Sequence, residues 1–177
     1  MAQLGEEVYV IEPARDDQII AGLRQIVELQ PEVWVNLDAS ERLRTLQEAE
    51  NVIAAVQGRL ATDIFSYDAD PDDYGYFDGN TYRIGIGSQS LAHGAVDDVV
   101  DTLAHEGRHA YQDWAIDHPD AHDNLGEVEA WRHNFADDNY ISPEADYAEY
   151  LLQPVEADSR RYARMIVDGL YGEGSNL

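Results

Sequence analysis

The chain has 177 residues with 44% hydrophobic content, which suits one domain with a sizeable core. Its 36 acidic and 11 basic residues give a net charge of −25, and this balance argues against nucleic acids and anionic membrane surfaces as partners. The absence of cysteine excludes disulfides, thiolate metal ligands and cysteine nucleophiles.

The N-terminal residues are not expected to form a secretory signal. Residues 1–13 (MAQLGEEVYVIEP) are acidic and contain no long apolar stretch, unlike a secretory signal peptide. No apolar run elsewhere approaches the ~20 residues that a membrane-spanning helix needs. We therefore expect a cytoplasmic protein that does not cross a membrane, with export by a specialised route as the alternative.

The first third of the chain is expected to be helical, over residues 1–60. Residues 14–29 space their apolar side chains as one helix does. A second helix begins at Asp38, which forms a capping-box pattern with Glu41, and its apolar residues then follow one face. Gly58 is a suitable end for it.

A small antiparallel sheet is expected within about residues 62–90. Residues 81–87 (TYRIGIG) alternate in hydrophobicity and predict a strand. Either residues 63–66 or residues 74–77 are expected to pair with it. Gly79-Asn80 offers a hairpin turn between residues 74–77 and the predicted strand.

The most informative stretch is residues 105–109 (HEGRH), which match the pattern HExxH. Apolar residues spaced three and four apart predict one amphipathic helix around it, from about 96 to 118. His105 and His109 then lie on one face, one turn apart, where both imidazoles can bind a single Zn²⁺. Glu106 lies beside the metal-bound water and can take its proton, which favours metal-assisted hydrolysis. A strand followed by such a helix is also the order in zincin-type hydrolases, in which an edge strand pairs with an extended peptide.

Two more helices are expected downstream, at residues 127–137 and at about residues 154–170, the latter starting at Pro154 or extending back to Ala145. A catalytic zinc keeps three protein ligands and one open position, so one of these regions must supply the third ligand. Glu156 is preferred because it shares a core-facing stripe with Tyr162, and a buried carboxylate is costly without a partner. The alternatives are Glu129, in first place, and His118, His122 and His133.

Three segments, HEGRHAYQ, WRHN and YLLQPVEADSRRYA, together resemble the metallopeptidase domains of bacterial polymorphic toxins and related gluzincin-like hydrolases. The helix ERLRTLQEAENVIAAVQGR resembles the helix that often precedes the motif there, so the resemblance covers about residues 40–165. It implies a zincin-like single domain over residues 1–177, mainly helical and of class α+β. It also implies that His105, His109 and Glu156 bind Zn²⁺ and that Glu106 is the general base. Ser159 departs from the family, which usually has alanine at that position.

The chain also needs a group that stabilises the oxyanion of the transition state. Tyr147 and Tyr150 are preferred because they lie just upstream of Glu156; the other candidates are Tyr111, Arg132 and His133. The leading hypothesis is a zinc-dependent metallopeptidase that acts on a peptide or protein. The alternatives are a zincin-shaped binding module without catalytic activity, whose metal is structural or absent, and a hydrolase of another C–N bond.

Overall fold

The computed structural model describes residues 15–70, 73–136 and 139–172, in which helices surround a small three-stranded sheet. The fold is therefore α+β and mainly helical, which confirms the predicted class. The helices are α1 (Arg15–Leu23), α2 (Pro31–Trp34), α3 (Ala39–Gln57), α4 (Ser88–His93), α5 (Val96–Asp117), α6 (Leu125–Phe135), α7 (Tyr147–Leu152) and α8 (Pro154–Tyr171). The strands are β1 (Asp63–Tyr67), β2 (Gly75–Asp78) and β3 (Arg83–Gly87).

The predicted helix over residues 14–29 is too long. Ala14 lies outside the described residues, α1 ends at Leu23, and Ile26 adopts an extended conformation before a short 3₁₀ turn. The break turns the chain so that Ile26 becomes buried together with Leu23. α1 packs closely against α3 at Gly22, which leaves no room for a side chain there: a Cβ on Gly22 would lie 2.6 Å from Val52 Cγ1.

Helix α3 has the ends that its sequence predicts. The Asp38 side chain accepts a hydrogen bond from the Glu41 backbone N–H, and the Glu41 side chain accepts one from the Asp38 N–H, which completes the capping box. The helix ends at Gly58, whose φ of 78° lies in the left-handed region that glycine tolerates best.

The sheet is mixed, so the prediction of an antiparallel sheet is wrong in part. Its order is β1-β3-β2: β2 pairs with β3 as the predicted hairpin, whereas β1 pairs with β3 in parallel. The strand β3 lies in the centre and is buried on both faces: Ile84 and Ile86 are fully buried on one face, and Gly85 and Gly87 are buried on the other. The predicted sheet region also ends early, since residues 88–90 already belong to α4.

The helices α5 and α8 pack against each other and position the HExxH motif beside the sheet. α5 spans nearly the predicted range, and α8 begins at Pro154, where a proline fits the first helical turn. α6 covers most of the predicted residues 127–137, although Asp137 lies outside the described residues. Within the described ranges, none of the helices combines the length and apolar character that a bilayer crossing requires.

Candidate metal centre

Two helices bring three donor side chains together. α5 contributes His105 and His109, and α8 contributes Glu156, the residue preferred as the third ligand. The two Nε2 atoms of the histidines are 3.2 Å apart. Glu156 Oε2 lies 3.3 Å from His105 Nε2, and Glu156 Oε1 lies 3.4 Å from His109 Nε2. Among the described residues, this His/His/Glu group has the donor types and spacing that can hold a metal ion.

Glu156 is held at this point by the start of α8. The side chain of Gln153, the residue before the helix, accepts hydrogen bonds from Asn134 Nδ2 and from the Ile141 N–H. Asn134 Oδ1 in turn accepts a hydrogen bond from the Val155 N–H. These contacts tie α6, the following segment and α8 together, so the first turn of α8 presents Glu156 to α5 with only 1% of its surface exposed.

The hydrogen bonds of the Glu156 carboxylate are those expected of a metal ligand. Tyr140 Oη donates to Oε1 at 2.9 Å, while Oε2 is buried and has no hydrogen-bond partner. Burial alone would raise the pKa of Glu156, but its contacts with His105 and His109 outweigh burial and lower the pKa below its ordinary value. A buried carboxylate oxygen without a hydrogen bond is costly, and a cation at Oε2 would remove that cost.

The spacing of the donor atoms also fits a small tetrahedral ion. Zinc bonds to nitrogen and oxygen of about 2.0–2.1 Å place tetrahedral ligand atoms about 3.3–3.4 Å apart. The two histidine Nε2 atoms are 3.2 Å apart, close to that edge length, and each lies 3.3–3.4 Å from one of the two Glu156 oxygens. The donor set of two imidazoles and one carboxylate is one that zinc binds in catalytic sites.

A buried glutamine fixes the ring of His109. Gln112 Oε1 lies 2.9 Å from His109 Nδ1, so the ring donates its Nδ1–H there and keeps its Nε2 lone pair for a metal. The amide of Gln112 is itself oriented, because Nε2 donates to Val155 O at 3.0 Å and to Asp158 Oδ2 at 2.8 Å. Asp158 is held in place by Arg108, whose Nε donates to Oδ2 at 2.7 Å.

Glu106 lies between the donor cluster and the edge strand β2. Burial raises the pKa of its carboxyl, while His109, His105 and a hydrogen bond from the Phe77 backbone act in the opposite direction. A carboxylate with a raised pKa beside a metal site is suited to accept a proton and to release it again.

The cluster opens into a cleft of about 430 Å³. His105, Glu106, His109 and Glu156 form its floor, and residues 75–77 of β2 form one wall. The opposite wall comes from the segment between α6 and α7 and its flanks, through Phe135, Tyr140, Pro143 and Tyr150. The donor cluster is thus accessible from outside, which an open coordination position requires.

The strand that borders the cleft is β2, and not the predicted strand of residues 81–87. Residues 83–87 form the central strand β3, paired on both sides, so they cannot accept an added strand. The Gly87 N–H donates to Tyr74 O, and with this register the antiparallel alternation leaves the N–H and C=O of Gly75 and Phe77 pointing away from β3. These backbone groups face the cleft side of the sheet.

The alternative third ligands lie elsewhere. Glu129 is 68% exposed in its side chain and pairs with Arg132, because α6 packs through Val128 and Trp131 and turns Glu129 to solvent. The three other histidines also make contacts of their own. His118 stacks on Trp114, His122 contacts Tyr111 and Glu127, and His133 contacts Asn139.

The candidate oxyanion donors differ in whether they line the cleft. Tyr150 lines the cleft and is half-buried, whereas Tyr147 is 65% exposed and stacks on the outer side of Tyr150. The remaining candidates, Tyr111, Arg132 and His133, are absent from the residues that line the cleft.

Tyr140 and Gln112 are the residues that sequence reasoning missed. Gln112 lies one turn after His109 on the same helix, so its spacing was a usable signal. Tyr140 lies in an irregular segment, where no periodicity indicates its direction. Ser159, the departure from the resembling family, places its Oγ 3.3 Å from His109 Nδ1 and so joins the same contacts.

Comparisons of this chain with protein families, with curated proteins and with solved structures found no match.

Proposed function

We propose that the protein is a zinc-dependent metallopeptidase that cleaves peptide bonds of a peptide or protein substrate. The observation that carries the proposal is the buried His105/His109/Glu156 cluster, whose open side faces Glu106. The chain has no cysteine, and a set of two imidazoles and one carboxylate favours zinc among the common catalytic metals.

In this proposal each residue has one chemical task. A zinc ion bound by His105, His109 and Glu156 supplies Lewis acidity and lowers the pKa of its water. Glu106 would take a proton from a water at this site as the water oxygen bonds to the carbonyl carbon, and would give that proton to the amine nitrogen as the C–N bond breaks. Tyr150, which lines the cleft, donates a hydrogen bond to the carbonyl oxygen as it gains negative charge.

The edge strand favours a peptide over a small amide. An extended peptide can pair with the outward backbone groups of Gly75 and with the outward C=O of Phe77 and so cross the cleft over the donor cluster. The intact Glu106 and the open cleft favour catalysis over a binding module with a closed metal site. The resemblance of the sequence to the metallopeptidase domains of bacterial toxins supports the same proposal.

The test compares two glutamate variants of the zinc-loaded protein. Glu106→Gln is expected to keep its zinc and to lose cleavage of a mixture of quenched fluorogenic peptides. The matched control Glu129→Gln is expected to keep both, because Glu129 is exposed and outside the cluster. The proposal is wrong if the wild type binds no zinc, or if Glu106→Gln cleaves peptides as fast as the wild type.

A further inference from the structure

The two walls of the cleft differ in chemistry. The β2 wall offers the outward backbone groups of Gly75 and the outward C=O of Phe77, whose N–H already donates to Glu106. The side chain of Tyr76 packs with Phe65 and Tyr67 on the other face of the sheet. The opposite wall offers mainly apolar and aromatic side chains. They are Phe135, Tyr140, Pro143 and Tyr150.

The aromatic wall is accessible, although it lies beside buried charges. Phe135 is 38% exposed and Tyr140 is 43% exposed, while the ring of Phe135 contacts His109 at a centroid distance of 6.2 Å. Tyr140 and Tyr150 meet edge to face, with centroids 6.4 Å apart. Neighbouring exposed aromatic rings beside a cleft are typical of a surface that binds an apolar group.

The side chains that line the cleft favour an apolar over an anionic group of the substrate on the aromatic wall. The described lining residues of the cleft include two glutamates and no arginine, and the chain contains no lysine. An acidic side chain placed on the aromatic wall would therefore find no cationic side chain among the lining residues to pair with.

We propose that the aromatic wall of Phe135, Tyr140, Pro143 and Tyr150 is a subsite for a large apolar side chain from the interior of a peptide chain. The backbone of that peptide lies along β2 and its apolar side chain packs on the opposite wall. This inference rests on the proposed peptidase function and names the substrate that this cleft accepts. The expected cleavage is at a bond next to the apolar residue, well inside the peptide.

The test uses quenched fluorogenic peptides with blocked ends that differ at one central residue, which is Phe, Leu, Ala or Asp in an Ala/Gly background. With the zinc-loaded wild type, the Phe and Leu peptides are expected to exceed the Ala peptide in kcat/KM by about tenfold or more, and the Asp peptide to fall below the Ala peptide. Mass spectrometry of the products locates the cleaved bond. Titration calorimetry of the Glu106→Gln variant with the same peptides gives binding without turnover and is expected to show the same order.

A variant of the wall tests its role directly. Phe135→Ala is expected to lower the ratio of kcat/KM between the Phe and Ala peptides about tenfold. The ratio cancels any general loss of activity that follows from losing the contact with His109. Leu125→Ala, at the first residue of the same helix, is the matched control, because Leu125 is 57% exposed and lies outside the cleft.

Two failures are distinguishable. Cleavage at equal rates for the Phe, Ala and Asp peptides, or an unchanged ratio in Phe135→Ala, overturns the subsite and leaves the peptidase proposal intact. Absence of cleavage for every peptide overturns the peptidase proposal. In that case, calorimetry still decides the subsite: tighter binding of the Phe peptide supports it, and equal binding of all peptides overturns it.

Discussion

Substitution of Gln112 by leucine is expected to weaken metal binding without touching any metal ligand. Gln112 is fully buried, and its Oε1 accepts the Nδ1–H of His109 at 2.9 Å. Leucine has a similar size but no acceptor, so His109 loses the contact that sets its tautomer and its ring orientation. Loss of such a partner typically reduces metal affinity by about 10–100-fold.

The same substitution has a separate cost in stability. It removes the amide from His109 Nδ1 and Val155 O, although Ser159 Oγ still lies 3.3 Å from Nδ1 and Val155 O keeps its helical partner in α8. The expected loss in the free energy of unfolding of the metal-free protein is therefore about 1–3 kcal/mol, the cost of one poorly paired buried polar group. Asp158 is less affected, because Arg108 and Arg161 still donate to it.

The assay measures zinc affinity by competition with a chromophoric chelator and stability by urea unfolding. Gln57→Leu is the matched control: Gln57 is also buried and bonds to Tyr162 and Arg59, but it contacts none of the metal donors. Gln57→Leu is expected to lose stability and to keep its zinc affinity. Equal zinc affinities for wild type and Gln112→Leu would refute the role given to this amide.

Three further predictions follow from named contacts. Tyr140→Phe removes the hydrogen bond to Glu156 Oε1 and is expected to lower zinc affinity about tenfold, whereas Tyr147→Phe is not; equal affinities for the two variants would contradict this. Glu50→Gln breaks a 2.6 Å ion pair with Arg59 in which both side chains are fully buried, so urea unfolding should show that the free energy of unfolding falls by about 3–5 kcal/mol. The control Glu129→Gln changes an exposed pair and should lose less than about 1 kcal/mol. A similar loss in both variants would refute the argument. Burial raises the pKa of at least seven tyrosines, so above about pH 10 the folded state holds more protons than the unfolded state and stability falls as pH rises. These tyrosines are Tyr67, Tyr82, Tyr111, Tyr140, Tyr150, Tyr162 and Tyr171. Absorbance at alkaline pH should show delayed ionisation in the folded protein, and simultaneous ionisation of all tyrosines near their ordinary pKa would contradict it.

Features that depend on local sequence could be predicted. The capping box of Asp38 and Glu41 involves residues three apart, and the hairpin joins strands that neighbour each other in sequence. Its turn covers residues 79–82 and has its positive φ at Tyr82, so the predicted turn at Gly79-Asn80 is too short and the predicted strand begins two residues late, at Arg83. The three metal donors could also be predicted, because His105 and His109 share one helix face and Glu156 lies on the buried stripe of another helix.

Features that depend on distant contacts could not be predicted. The parallel pairing of β1 with β3 joins segments that no short turn connects, and alternation of hydrophobicity does not distinguish a central strand from an edge strand. The end of α1 depends on its close packing against α3 at Gly22. Tyr147 and Tyr150 are almost one helical turn apart, and only the packed structure shows that Tyr150 alone lines the cleft.

The central claim is that His105, His109 and Glu156 bind one zinc ion with an open position toward Glu106. Crystals of the zinc-loaded protein, measured at the zinc absorption edge, test it most directly. We expect one anomalous peak about 2.0–2.1 Å from both histidine Nε2 atoms and within about 2.2 Å of a Glu156 oxygen, with no fourth protein ligand. A peak bound by other residues, or a zinc closed off by four protein ligands, would contradict the account.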